Sequence, residues 1–265
     1  MPYGLDLVRG WFVPQNGVEM KKNLSVENDV KPLVEYNPSF LNRGNLRNLV
    51  ILLSCVLALF HPIDSVEIFV SFFLLTLGSF VHFVSKGILI RSGLTKCGIY
   101  GLVRHPYYMA SYLVDLSFCL LSGNTYLLIA YPFLFFWTYG YAIRKEDELL
   151  GKAYPDTFFP YLTEIPSAFP DASSIRGWKH LFDGFSMRRI SKKEVARLFR
   201  YWATALLIFC LHRIPYKDFQ SFNFKFEPHH WQTLIWLFLV IILYLVNFII
   251  VAASKKSGSD FELGG

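Results

Sequence analysis

The feature that most constrains this fold is an apolar stretch near the C-terminus, residues 231–253, which contains no charged side chain. A helix needs about 20 predominantly apolar residues to cross the roughly 30 Å hydrocarbon core of a bilayer. The stretch therefore predicts a membrane-spanning helix. Across the chain only 17% of residues are charged, against about 25% in average soluble domains. An integral membrane protein is predicted.

Other apolar stretches divide the chain into further candidate helices. Pro62 and Asp64 separate the first from the second, and Ser122, Gly123 and Asn124 separate the third from the fourth. The candidate spans are 47–61, 66–85, 108–121, 126–143, 199–214 and 231–253. The predicted fold class is an all-α, polytopic membrane helical bundle of about six spanning helices, with its longer polar loops on the cytoplasmic side.

The basic residues predict the orientation of this bundle. With both termini in the cytoplasm, all but three of the 26 lysines and arginines fall on the inside; the exceptions are Arg213, Lys217 and Lys225. Such a bias is typical of cytoplasmic loops. The net charge of +6 is thereby explained by topology and anionic lipid, without a nucleic-acid partner. Because the first forty-odd residues lack an apolar signal segment, we expect an internal helix to direct membrane insertion.

Residues 98–108, which lead into the third candidate span, form a motif suited to ligand binding. Pro106 fits the first turn of a helix, where its missing N–H is not needed. Arg104 and His105 would then lie at the positive helix end, a favourable place for an anionic group. Arg can bind a carboxylate in a bidentate way, and His can donate a further hydrogen bond.

A second polar segment, residues 144–150, follows the fourth candidate span and is rich in acidic side chains. Acidic side chains this close to a membrane are costly unless they face water or a partner. The later leucines and aromatic residues suggest an amphipathic segment folding back under the membrane. We expect the two loops to close one pocket, with Arg104 and His105 facing Glu146 and Asp147.

Together the two segments resemble the superfamily of isoprenylcysteine carboxyl methyltransferases and phospholipid methyltransferases. The first segment matches its pattern at Gly98, Tyr100, Arg104, His105, Pro106 and Tyr108. The second matches at Glu146, Leu149, Leu150, Tyr154, Tyr161, Ile165 and Pro166. The resemblance covers about residues 66–170. Four positions depart from the pattern and bear more on the substrate than on the cofactor: Ala110, Asp147, Pro155 and Phe158.

The resemblance implies transfer of a methyl group from S-adenosylmethionine to a lipophilic acceptor that enters from the bilayer. It implies a set of cofactor-binding residues: Tyr100, Arg104, His105, Pro106, Tyr108 and Glu146. The catalytic residues it implies are Arg144, which would bind an acceptor carboxylate, and Glu146 and Asp147, which would meet cationic groups or position the acceptor. The acceptor can be a lipophilic small molecule, a lipidated peptide such as a prenylcysteine carboxylate, or an amino-phospholipid.

Four regions are expected: a cytoplasmic arm (1–45), a membrane methyltransferase core (46–170), a basic cytoplasmic linker (171–198), and a C-terminal pair of membrane helices with a tail (199–265). Two other functions remain open, an NADPH-dependent reductase of sterol or steroid double bonds and a non-enzymatic membrane scaffold. Two polar residues within the spans, Asp115 and His82, fall outside the family pattern. No metal site is predicted.

Overall fold

A computed structural model describes residues 42–90, 93–213 and 230–262, and every regular element in these ranges is helical. The all-α prediction is confirmed there. The α-helices are α1 (Arg43–Ala58), α2 (Ser65–Ile88), α3 (Pro106–Leu121), α4 (Thr125–Ala153), α5 (Pro155–Glu164), α6 (Lys192–Leu211) and α7 (His230–Glu262). Short 3-10 helices occupy Gly98–Gly101, Ser174–His180 and Met187–Arg189. Residues 1–41 of the predicted N-terminal arm lie outside the described residues, as do residues 214–229 at the end of the fifth predicted span and in the loop to the sixth.

Three of the described helices are long and apolar enough to cross a membrane: α2, α4 and the segment Trp231–Ala253 of α7. They match the second, fourth and sixth predicted spans. Helices α1 and α3 have 16 residues each, about 24 Å of helix, which is short of the hydrocarbon thickness. Helix α6 has 20 residues, but its first half is rich in charge. The predicted count of six spans is therefore not confirmed.

Local chemistry sets the helix boundaries near the predicted turns. Asp64 and Glu67 form a reciprocal capping box at the start of α2, with Asp64 accepting from the Glu67 N–H at 2.7 Å. Asn124 accepts from the Leu127 N–H at 2.9 Å and so caps α4. Gly123 turns the chain between α3 and α4 with a φ of +66°, a conformation that favours glycine.

Close packing of α2 on α3 forms the centre of the bundle. A Cβ at Gly78 would lie 2.9 Å from Val114 Cγ2 and 3.1 Å from the carbonyl oxygen of Ala110. The absence of a side chain at Gly78 therefore lets the two helices approach closely. Helix α1 adds one buried face, on which residues recur every four positions: Leu46, Val50, Ser54 and Ala58.

The two ends of the bundle differ in chemistry. At one end, the His212 ring lies 2.9 Å from the carbonyl oxygen of His61 and 2.6 Å from that of Leu121. Asn124 lies 2.9 Å from the His61 ring, so these residues connect the ends of α1, α3 and α6. The other end brings together the first turns of α1, α3 and α6 with the C-terminal parts of α2 and α4. The polar residues of both predicted motif segments lie at this second end.

Candidate functional site

The two predicted motif segments meet at the carboxylate of Asp147. Arg104 Nη2 lies 3.0 Å from Asp147 Oδ2, and His105 Nε2 lies 2.8 Å from Asp147 Oδ1. Helix α4 continues past its predicted span and carries Asp147 to this point, while Arg104 and His105 immediately precede α3. The structure thus brings together residues 42 and 43 positions apart in the chain, as the expected pocket requires.

Backbone and side-chain bonds attach the end of α5 to the same place. The N–H groups of Arg104 and His105 donate to the carbonyls of Pro166 and Ser167, each at 2.9 Å. Arg104 Nη1 donates to the carbonyls of Leu162 and Ile165, at 2.9 and 2.5 Å. Helix C-termini leave carbonyls without partners inside the helix, and this guanidinium satisfies two of them. Arg104 therefore holds α5 against the motif.

A second carboxylate, Glu146, has a more open setting. Its Oε2 accepts from the Tyr108 hydroxyl at 2.7 Å and lies 3.7 Å from His105 Nδ1. Arg43, from the first turn of α1, donates to the same Tyr108 hydroxyl at 2.6 Å. The Glu146 side chain remains 47% exposed, whereas that of Asp147 is only 15% exposed. Glu146 is therefore the acid that can still meet a ligand.

Tyr100 occupies a buried position beside this cluster. The Tyr161 hydroxyl donates to the Tyr100 carbonyl oxygen at 2.7 Å. Burial raises the pKa of both tyrosines above the ordinary value, and the charge of Glu146 adds to the shift at Tyr100. Both hydroxyls thus stay protonated and act as donors. The Tyr100 hydroxyl itself donates to the Ser85 carbonyl oxygen at 3.4 Å, so this side chain stabilises the packing beside the site.

The remaining two predicted site residues differ from each other in setting. Pro106 is buried at the first position of α3, as predicted. Arg144 is exposed on α4, and within the described ranges no hydrogen bond or ion pair links its guanidinium to the cluster. The structure therefore gathers the predicted residues except Arg144.

Sequence reasoning missed a buried ion pair next to the cluster. Arg47 Nε lies 2.7 Å from Asp115 Oδ1, and Arg47 Nη1 donates to the Tyr201 hydroxyl at 2.9 Å. Asp115 is fully buried and also accepts from Tyr131 at 3.2 Å. The spacing of Arg43 and Arg47, four positions apart, places them on one face of a helix but does not indicate Asp115 as a partner.

Sequence reasoning also missed a charged group around Glu194 of α6. His82 Nε2 lies 2.9 Å from Glu194 Oε2, and Arg197 Nη1 lies 3.3 Å from the same oxygen. Lys86 Nζ lies 3.8 Å from Glu194 Oε1. Burial on its own raises the pKa of Glu194, but the His82 hydrogen bond and the two cations outweigh it and lower the pKa to about 2. Glu194 is therefore ionised over the whole physiological range.

Within the ranges that the structure describes, no three His, Cys, Asp or Glu residues lie close enough to hold a metal ion. No protein-family model, curated protein or solved structure matches the chain.

Proposed function

We propose that this protein transfers a methyl group from S-adenosylmethionine to a lipophilic acceptor in the membrane. The observation that carries the proposal is the meeting of Arg104 and His105 with Asp147. It joins the two segments whose patterns resemble those of isoprenylcysteine carboxyl methyltransferases and phospholipid methyltransferases. Fold alone would not justify a function, so the proposal rests on the contact between these two segments.

The residues of the site fit such a cofactor in charge and in free bonding capacity. Glu146 uses Oε2 for Tyr108, and its half-exposed carboxylate has a second oxygen to accept from a cationic amino group. The Nε–H of Arg104 is buried and has no partner among the described residues, so it offers one donor. S-adenosylmethionine supplies, when bound, a methyl group made electrophilic by a cationic sulfur.

Each residue then has a distinct role. Glu146 binds the cationic amino group of the cofactor. Tyr108 and His105 orient the carboxylate of Glu146. Asp147 acts as a positioning residue, because both of its oxygens are bonded inside the protein. Arg104 holds α5 and Asp147 through its Nη atoms and keeps its Nε–H as a donor for the cofactor. Arg144, being exposed, is proposed to meet the acceptor carboxylate. Alignment of donor and acceptor and exclusion of water are the main contributions required of the protein.

We also propose that the protein crosses the membrane several times, with this site and both termini in the cytoplasm. The support is the distribution of lysines and arginines, which concentrates on the same side as the cluster. The short helices α1 and α3 would then reach the headgroup region through their polar flanks.

Titration of detergent-solubilised protein with S-adenosylmethionine and its demethylated product tests the proposal. We expect saturable binding that weakens about tenfold or more in Glu146→Gln, because a hydrogen bond to a charged group is lost. Glu148→Gln is the matched control. Glu148 lies two positions further along α4, is exposed and pairs with the surface residue Lys152, so its loss should leave binding unchanged.

Absence of S-adenosylmethionine binding in folded protein would contradict the proposal. Equal weakening by Glu146→Gln and Glu148→Gln would remove Glu146 from the site. Binding of NADPH in place of S-adenosylmethionine would support the membrane reductase instead.

A further inference from the structure

A cavity of about 530 Å³ lies among α1, α3, α4, α6 and α7. Its lining includes four arginines, Arg43 and Arg47 from α1 and Arg197 and Arg200 from α6. No acidic side chain lines it within the described part of the chain. Both α1 and α6 lie outside the motif segments that support the proposed methyl transfer.

The charges around the cavity are only partly balanced. Arg47 is paired with the buried Asp115 behind it, and Arg197 lies 3.3 Å from Glu194. Arg43 and Arg200 have no carboxylate within ion-pair distance among the described residues. Arg43 and Glu146 both bond the Tyr108 hydroxyl, so this carboxylate reaches Arg43 only through that hydroxyl. Two cationic groups therefore remain for an anionic ligand.

Neutral donors complete the lining. Tyr139 and Ser111 face the cavity from α4 and α3, and Asn48 faces it from α1. Arginine forks and hydroxyl groups together suit an oxyanion with several acceptor oxygens. A phosphate monoester carries about −1.5 to −2 charges at neutral pH, which matches two uncompensated arginines better than a single carboxylate does.

The surroundings of the cavity indicate where such a phosphate comes from. Ile51 lines its deeper side, and Tyr244 from α7 closes it with a hydroxyl 3.1 Å from Thr204 Oγ1. The outer face of α7 is apolar and exposed, for example at Phe238 and Phe248, as expected for a helix in contact with lipid. A phosphate in the cavity can thus be continuous with acyl chains that lie along α7.

We propose that this cavity binds the phosphate-bearing headgroup of an anionic membrane lipid. The site does not depend on methyl transfer, and the arginines that recognise the ligand lie on α1 and α6. Arg43 and Arg200 bind the phosphate oxygens directly. Arg47 and Arg197, already paired, shape the cavity and add to its positive field.

Lipid binding to the full-length protein in detergent tests the proposal. The probes are phosphatidic acid, phosphatidylcholine and inorganic phosphate, and the readouts are lipid retention by native mass spectrometry and thermal unfolding. The variant is Arg43→Gln/Arg200→Gln. The matched control is Lys192→Gln/Lys193→Gln, which removes the same charge from two exposed lysines in the first turn of α6.

We expect phosphatidic acid to bind more tightly than phosphatidylcholine. Binding should weaken about tenfold or more in the arginine variant and less than about twofold in the lysine control, because charge-assisted hydrogen bonds are lost only in the former. If the double variant does not fold, Arg200→Gln alone, at an exposed position, is compared with Lys193→Gln.

Three outcomes would overturn the proposal. Equal weakening in both variants would indicate general attraction of anionic lipid to a basic surface. Equal retention of phosphatidic acid and phosphatidylcholine would exclude headgroup recognition. Full competition by inorganic phosphate, with no dependence on acyl chains, would assign the cavity to free phosphate and not to a lipid. None of these lipid-binding measurements depends on S-adenosylmethionine. Failure of the lipid site can therefore be distinguished from failure of the proposed methyl transfer.

Discussion

Arg47 of α1 and Asp115 of α3 form an ion pair in the interior of the bundle, with Arg47 Nε 2.7 Å from Asp115 Oδ1. Asp115 is fully buried and the Arg47 side chain is only 16% exposed. A buried charge whose partner is removed is strongly destabilising, whereas removal of both charges can be nearly neutral.

Replacement of Asp115 by Ala is therefore expected to destabilise the protein by about 3–5 kcal/mol, because Arg47 keeps its charge without a carboxylate. Thermal unfolding in detergent measures the effect. The double variant Arg47→Leu/Asp115→Leu should lose less stability than the sum of the losses in Arg47→Leu and Asp115→Leu. Additive losses would show that the two residues act independently.

Arg104→Gln is expected to loosen α5. The change removes two hydrogen bonds to carbonyls at the end of that helix and one to Asp147, while the backbone bonds from residues 104 and 105 remain. Amide hydrogen exchange in residues 155–166 should accelerate roughly tenfold or more. Arg188→Gln, at an exposed position in a 3-10 turn, is the control. Unchanged exchange in Arg104→Gln would mean that the backbone bonds alone hold α5.

The pH dependence of stability is expected to contain a contribution from Glu194. Its pKa is about 2 in the folded protein against an ordinary value of 4.5, so the folded state favours the ionised form. This stabilisation is fully present above pH 4.5 and is lost as the pH falls toward 2. The melting temperature of wild-type protein should therefore fall more steeply through this window than that of Glu194→Gln. Glu164→Gln, an exposed carboxylate at the end of α5, should behave as wild type.

Gly98→Ala is expected to destabilise the start of the motif. Gly98 has a φ of +61°, and an added Cβ would lie 2.7 Å from the carbonyl oxygen of Asp183 and would overlap Ile88. The left-handed backbone alone costs about 1–2 kcal/mol for a residue with a side chain, and the overlap adds to it. The melting temperature should fall clearly in Gly98→Ala and hardly change in Gly93→Ala, where an added Cβ meets nothing within 4 Å.

The long helices of the fold could be predicted because their signal is local. The prediction of a span at 66–85 corresponds to α2 at Ser65–Ile88, and the turn at Gly123 lies where it was predicted. The expected approach of Arg104 and His105 to the acidic segment is also observed, since opposite charges flanked the same side of a predicted hairpin.

Pairings between distant elements could not be read in the same way. Arg47 and Asp115 are 68 positions apart, and nothing in their spacing connects α1 with α3. Arg43 and Arg197 were interpreted only as basic residues on the cytoplasmic side, because their charge explains topology as well as it explains a cavity. The bonds from Arg104 to the end of α5 were missed because an acceptor carbonyl leaves no mark on the sequence.

Contact between α2 and α3 at Gly78 has a mechanical consequence. Two helices whose backbones meet with no side chain between them have no room to slide or to separate without losing dense packing. Helices α2 and α3 therefore move as one rigid unit. Any opening of the bundle that admits a bulky molecule must come from movement of helices other than this pair, among them α1 and α6, which carry the arginines of the cavity.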